Sequence, residues 1–159
     1  MLDLGCGLGD FTAAMVAAGV QAAGCDVAGE AVRRAQERHP GISFVQSGED
    51  LPFEDELCDA VWAGEVLEHV QDVLGLLAEV HRILRPGGRL IASTPDHNAR
   101  RRLALGLSRR AFEANFDPHS DHVRFFTSHS LRRALENAGF AEVRITSAKR
   151  VLLAVATRT

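Results

Sequence analysis

The residues best suited to chemistry lie in three stretches. In Leu2-Asp3-Leu4-Gly5-Cys6-Gly7-Leu8-Gly9-Asp10-Phe11 an apolar run turns through three glycines toward a helix-like segment. Such a turn lets backbone N–H groups approach a ligand closely. A dinucleotide loop reads GxGxxG and sets its third glycine beside a pyrophosphate. Here the pattern is GxGxG, and Asp10 stands at the last glycine's position. A carboxylate there repels a diphosphate and is harmless to S-adenosylmethionine, a phosphate-free sulfonium cation. The plain alternative is a tight turn without a ligand. Asp26 follows roughly 20 residues beyond the loop, where a carboxylate can accept both hydroxyls of a ribose. Its plain alternative is a helix cap ahead of Ala28.

The third stretch is Glu65-Val66-Leu67-Glu68-His69. If helical, Glu65, Glu68 and His69 share one face at i, i+3 and i+4. Two carboxylates and an imidazole can hold a divalent metal. The same face can instead act without metal, with His69 as general base or substrate contact. A local basic patch, Arg100-Arg101-Arg102 and Arg109-Arg110, lies near His97, His119 and His122. It reads either as an attractor for an anionic small molecule or RNA, or as a solvated surface, and the solvated reading is preferred. Exposed aromatics are not interleaved with it, so RNA is not an expected partner. Phe125 and Phe126 read as packing beneath a cap.

These residues need a scaffold, and the chain alternates apolar runs with helical patterns. Strands are expected over 1–4, 20–25, 42–45, 58–63 and 89–93, and helices over 10–18, 30–38 and 70–84, the last halted by Pro86-Gly87-Gly88. Alternation of this kind makes a parallel sheet covered on both faces. The tail differs: a helix over 127–138 is followed by strands at 143–145 and 151–156. Too few residues separate those strands for a helical crossover, so they should pair antiparallel. The expected class is α/β, a Rossmann-like doubly wound sheet, mostly parallel with a C-terminal antiparallel hairpin. One domain over 1–159 is expected, with 96–126 an insertion capping the sheet's carboxyl edge.

A length of 159 residues suffices for one ordinary core, and 46% hydrophobic with 25% charged residues is a globular profile. A net charge of -3 gives no global pull toward nucleic acid or membrane. No run reaches the roughly 20 apolar residues that span a bilayer, so no membrane partner is expected. The start lacks a signal-peptide pattern. Cys6, Cys25 and Cys58 form no CxxC pair and sit in or beside apolar runs, which reads as reduced buried thiols and a cytoplasmic setting.

MLDLGCGLGDF resembles the first motif of class I S-adenosylmethionine-dependent methyltransferases, and GCDVAGEAV resembles their ribose-binding strand end. GEDLPFEDELCDAVWAGEVLEHV, ILRPGGRLIASTP and HVRFFTSHSLRRALENAGF resemble the later blocks in the right order, so the likeness covers nearly the whole chain. The resemblance implies that backbone around Gly5, Cys6 and Gly7 faces the methionine part of the cofactor, with Asp3 helping to hold its ammonium. It places Asp26 and Val27 at the ribose, Ser47, Gly48 and Glu49 at the adenine, and Ala63 and Gly64 near the sulfur. Relatives often have aspartate where Ser47 stands; serine still hydrogen-bonds but carries no charge.

The Glu65–His69 phrase is similar to that of ubiquinone-pathway O-methyltransferases and of small-RNA 2′-O-methyltransferases, which use it for Mg²⁺-like ions. The RNA enzymes add a later histidine, which implies a ligand set of Glu65, Glu68, His69 and His122. Many relatives carry almost the same phrase without metal, and there it shapes the methyl-transfer pocket, with His69 and Glu65 as the catalytic candidates. Relatives also carry a helix before the first strand, whereas this sequence begins at the strand; the reading is a truncation or an open-faced domain. The expected function is methyl transfer by direct displacement to a small-molecule acceptor, oxygen favoured, in a monomer or homodimer. The alternatives are a cofactor-binding but inactive regulatory or partner module, and a nicotinamide oxidoreductase, disfavoured by Asp10.

Overall fold

In the computed structural model, which describes residues 1–117 and 119–159, seven strands form one sheet in the order β3-β2-β1-β4-β5-β7-β6. Its first half contains β1 (Leu2–Leu4), α1 (Asp10–Ala17), β2 (Ala23–Asp26), α2 (Gly29–Arg38), β3 (Phe44–Gln46) and β4 (Cys58–Gly64). Then come α3 (Val73–Ile83), β5 (Leu84–Pro95), α4 (Ala99–Leu107), α5 (Arg109–Asn115), α6 (Ser128–Asn137), β6 (Phe140–Ala148) and β7 (Val151–Arg158). The first five strands run parallel. β7 inserts between β5 and β6 and is antiparallel to both, as the short connections near the chain's end require.

β1 is buried throughout, which explains its unbroken apolar reading. The large core joins Leu2, Leu4, Val61 and Leu90 on strands to Leu77 and Val80 on α3 and Leu131 and Leu135 on α6. A smaller cluster, Cys6, Val32, Ala35 and Phe44, packs α2 beneath the glycine loop. Gly9 belongs to that packing: its φ is 78°, and a Cβ there would lie 2.6 Å from the Phe44 ring. α6 begins on a reciprocal cap between Thr127 and Ser130.

Two element boundaries are corrected. β5 starts at Leu84, running through Pro86-Gly87-Gly88, with pairing that skips from Cys58↔Leu84 to Ala60↔Arg89. The residues expected to end a helix thus form an irregularity inside a strand. α3 starts at Val73 because the Asp72 carboxylate accepts from Gly75 N–H at 2.9 Å, leaving Val70 and Gln71 outside the helix. The segment from 96 to 126 contains two short helices with no buried residue. Its ends meet where Asp96 pairs with Phe126 and His97 N–H donates to the Phe126 carbonyl at 2.9 Å. Within it, Pro118 lies outside the described residues. Phe126 packs in the core as expected, while Phe125 is exposed and meets His97 and Phe116 edge-on.

Candidate active site

A cavity of about 460 Å³ opens where β1, β2, β3 and β4 end. This is the carboxyl edge of the sheet, the place where open α/β folds bind ligands. Leu4 and Gly5 contribute from the glycine loop, Asp26 and Val27 from the end of β2, and Ser47, Gly48 and Glu49 from the loop after β3. Glu65, Val66 and His69 close the wall after β4, with Val70, Gln71 and Leu76 beyond them. Gly5 has a φ of 74°, and a Cβ there would lie 2.5 Å from the Val66 methyl. Glycine therefore lets the loop and the wall meet.

Asp26 organises the loop. One carboxylate oxygen accepts from Gly7 N–H at 2.8 Å and the other from Ala28 N–H at 2.9 Å. The capping alternative is thus present alongside the cavity position, since each oxygen keeps a second lone pair. Asp3 does not reach the lining: it is 2% exposed and accepts from Thr12 Oγ1 at 2.5 Å. Burial raises its pKa above the ordinary carboxylate value. Cys6, Gly7, Ala63 and Gly64 also lie off the lining. Cys6 packs in the smaller core, Gly7 braces Asp26, and Ala63 is buried at the β1–β4 pairing. Burial pushes the Cys6 and Cys25 thiols up to about 12, so both are inert at neutral pH.

Asp10 is not part of the cavity. Its carboxylate is exposed and meets Arg38 and His39, each at 3.1 Å. Its charge is met there, away from the lining, so Asp10 does not set which cofactor the cavity takes.

The Glu65–His69 segment is not helical. Glu65 leaves the strand with a φ of 54°, its N–H donating to the Ser93 carbonyl at 3.0 Å. Its Oε1 accepts from Ser93 Oγ at 2.7 Å. Glu68 turns inward and is 1% exposed; Thr94 Oγ1 donates to its Oε2 at 2.9 Å, while Oε1 is buried without a partner among the described residues. Burial raises its pKa, favouring the neutral acid. The Glu68 carbonyl accepts from the N–H groups of Val123 and Arg124 at 2.8 and 3.0 Å, tying the far loop to this turn. His69 Nδ1 lies 3.1 Å from the Asp121 carbonyl, and its ring meets His122 edge-on with centroids 4.8 Å apart.

The expected four-ligand metal set is therefore corrected. Glu68, His69 and His122 offer ligand atoms within 4.8 Å of one another, and Glu65 stands apart at Ser93. Two imidazoles and one carboxylate are not the all-oxygen set that Mg²⁺ demands. These residues do not fit that ion.

Sequence comparison decides the family: the profile described as "Methyltransferase domain" matches residues 1–145. The chain belongs to the methyltransferase domain family. This methyltransferase domain is 27% identical over 157 residues to a demethylmenaquinone methyltransferase of Chlorobaculum tepidum, covering 88% of this chain and 64% of that protein. It is 30% identical over 151 residues to a malonyl-[acyl-carrier protein] O-methyltransferase of Methylococcus capsulatus, covering 91% and 53%. The methyltransferase domain thus spans between about half and two thirds of the length of these two curated relatives. Its fold matches an S-adenosylmethionine-dependent methyltransferase from Mesorhizobium loti with a TM-score of 0.78 at 21% identity, covering 99% of this chain and 89% of that one.

The wall residues Leu4, Val66, Val70, Gln71 and Leu76 escaped sequence reasoning. The four apolar ones carry the same pattern as core positions, so spacing does not separate them, and Gln71 lay inside an expected helix that begins only at Val73.

Proposed function

We propose that this domain binds S-adenosylmethionine in the 460 Å³ cavity and passes its methyl group by direct displacement to a small-molecule acceptor, with oxygen as the acceptor atom. The observation that carries the reading is Asp26. Two backbone N–H groups fix its carboxylate at the cavity, and one lone pair on each oxygen is left for a ribose hydroxyl. Val27, exposed beside it, and the Ser47–Glu49 loop frame the adenine. The buried Ser47 carries no charge and its hydroxyl donates to the Gly48 carbonyl at 3.2 Å, so the base is held by shape and backbone.

The sulfonium is an activated leaving group, so the protein's task is to align nucleophile, methyl carbon and sulfur. Glu65, anchored by Ser93, lines the methyl-transfer end together with His69. The Asp121 carbonyl assigns the His69 proton to Nδ1 and leaves Nε2 to take the acceptor's proton. Asp121 Oδ2 lies 3.5 Å from the same Nδ1 and helps to hold the ring in place. No step here requires Mg²⁺. The free thiols of the three cysteines suit a cytoplasmic setting.

Calorimetry with S-adenosylmethionine and with NAD tests the cofactor. Preferential binding of NAD overturns the reading. Extract incubated with an isotope-labelled methyl donor then reports the acceptor as the molecule that gains mass. Cofactor binding without release of S-adenosylhomocysteine from any acceptor pool points to an inactive module instead.

A further inference from the structure

A second hollow, about 600 Å³, lies between α4, α5 and the tip of the β6–β7 hairpin. Arg100, Arg101 and Arg150 line it, with Asp96, Asn98 and Asn115 among its polar walls. Asp96 is 2% exposed and is engaged from below: Ser147 Oγ donates to its Oδ2 at 2.5 Å and Asn98 Nδ2 at 3.3 Å. Arg101 is braced by donating to Asn115 Oδ1 at 2.6 Å. Among the described residues, the ion pairs use other arginines, and none neutralises Arg100, Arg101 or Arg150.

Two features of the chain place these cations against local preference. Arg100, Arg101 and Arg102 occupy the first turn of α4, and no acidic residue accompanies them there. The amino end of a helix carries partial positive charge and favours anions, so three cations at that end repel it and one another. The hairpin tip shows the same inversion. Lys149 and Arg150 join β6 to β7 with φ of 49° and 70°, the two-positive-φ turn that glycine and asparagine fill with least strain. Here it carries two cations and directs one to the hollow. Burial and the charge of Arg101 also hold the pKa of neighbouring His97 below its ordinary value, so that ring adds no cation of its own.

We propose that this hollow is an oxyanion subsite that takes a carboxylate or phosphate group of a small molecule. A guanidinium binds either group through paired N–H donors. A short stretch of chain links the hollow to the first cavity: Asp96 lies just beyond β5, three residues after Ser93, which holds Glu65, about 10 Å of extended chain. That the ligand is the methyl acceptor, with its anion here and its reacting atom near Glu65, rests on the function proposed above; the anion site itself does not.

Titration of the whole chain with inorganic phosphate and with malonate, at ionic strength matched with chloride and without S-adenosylmethionine, tests the proposal. One of the two anions should give a saturable rise in melting temperature and a calorimetric isotherm, and which one does so distinguishes phosphate from carboxylate. Arg150→Gly suits the turn better, so it should melt no lower than the parent without ligand yet bind the anion roughly tenfold or more weakly. The pair Arg100→Gln and Arg101→Gln should show the same weakening by a different route. A response no greater than chloride's, or equal binding by the parent and both variants, overturns the proposal. S-adenosylmethionine should bind Arg150→Gly as it binds the parent. A chain that holds phosphate but not that cofactor would refute the methyl-transfer reading and leave this subsite standing.

Discussion

His69 and Glu68 are adjacent in sequence and opposite in character. His69 lines the cavity with its Nδ1 at a carbonyl, which frees Nε2 to accept a proton. His69→Ala should lower kcat by roughly a hundredfold or more, the usual contribution of a positioned base, with little change in cofactor affinity. EDTA should leave turnover of the parent unchanged, and loss of turnover that Mg²⁺ restores would return the metal to the mechanism. Glu68 is buried with one oxygen unpartnered, and its raised pKa has a stability cost with a definite sign. As pH climbs from the ordinary value of 4.5 toward the folded value, the folded state keeps a proton that the unfolded state has released. Stability therefore falls across that window and stays reduced above it. Glu68→Gln cannot ionise, so melting curves should place it above the parent at pH 7 and level with it near pH 4.5. A variant that melts lower at pH 7 would show that the carboxylate is ionised and paired. The sequence put these two residues on one helical face with Glu65. That failed because Glu65 takes a positive φ to reach Ser93, a contact from 28 residues away that local periodicity does not encode.

At the scale of elements, the segment that follows the cavity-lining Ser47–Glu49 loop is held by α3. Arg82 donates to the carbonyls of Leu51 and Phe53 and to the carboxylates of Glu79 and Asp55, while Leu51 N–H donates to Glu79 at 3.1 Å. Arg82→Ala strands two carbonyls and should cost about 1–3 kcal/mol in denaturant melts. Because Ser47–Glu49 immediately precedes this anchor, the same change should weaken S-adenosylmethionine binding severalfold; unaltered affinity would show that the loop holds itself. The strand–helix order was legible because buried parallel strands read as short apolar runs and the helices end at glycine or before proline. The start of α3 and the extent of β5 were not. The first is set by one aspartate side chain, the second by pairing of Leu84 with Cys58 across the sheet.

For the whole molecule, ligand linkage offers the broadest check. Cofactor that binds only the folded chain should stabilise it by about 2.7 kcal/mol at a free concentration one hundred times Kd. Asp26→Ala should lose most of that gain in melting experiments, because it removes the ribose acceptors of the proposed function and also frees the Gly7 and Ala28 N–H groups. A full gain in that variant would move the ribose elsewhere. Legibility at this scale was mixed. Gly5, Asp26 and Ser47–Glu49, read from motif order, do meet at one cavity, since each follows a parallel strand and all such strands end at one edge. Asp3 and Asp10 share those motifs but face Thr12 and Arg38, and only three-dimensional packing separates them from the lining residues.

The two hollows divide the chain between them. Every wall residue of the first comes from Leu4 to Leu76, and every wall residue of the second from Asp96 to Arg150. A genetic crossover falling within β5 would draw the two linings from different parents, and the seam to be matched would be the few contacts that Ser93, Thr94 and Asp121 make to Glu65, Glu68 and His69. With so short a seam, one lining can vary while the other is kept.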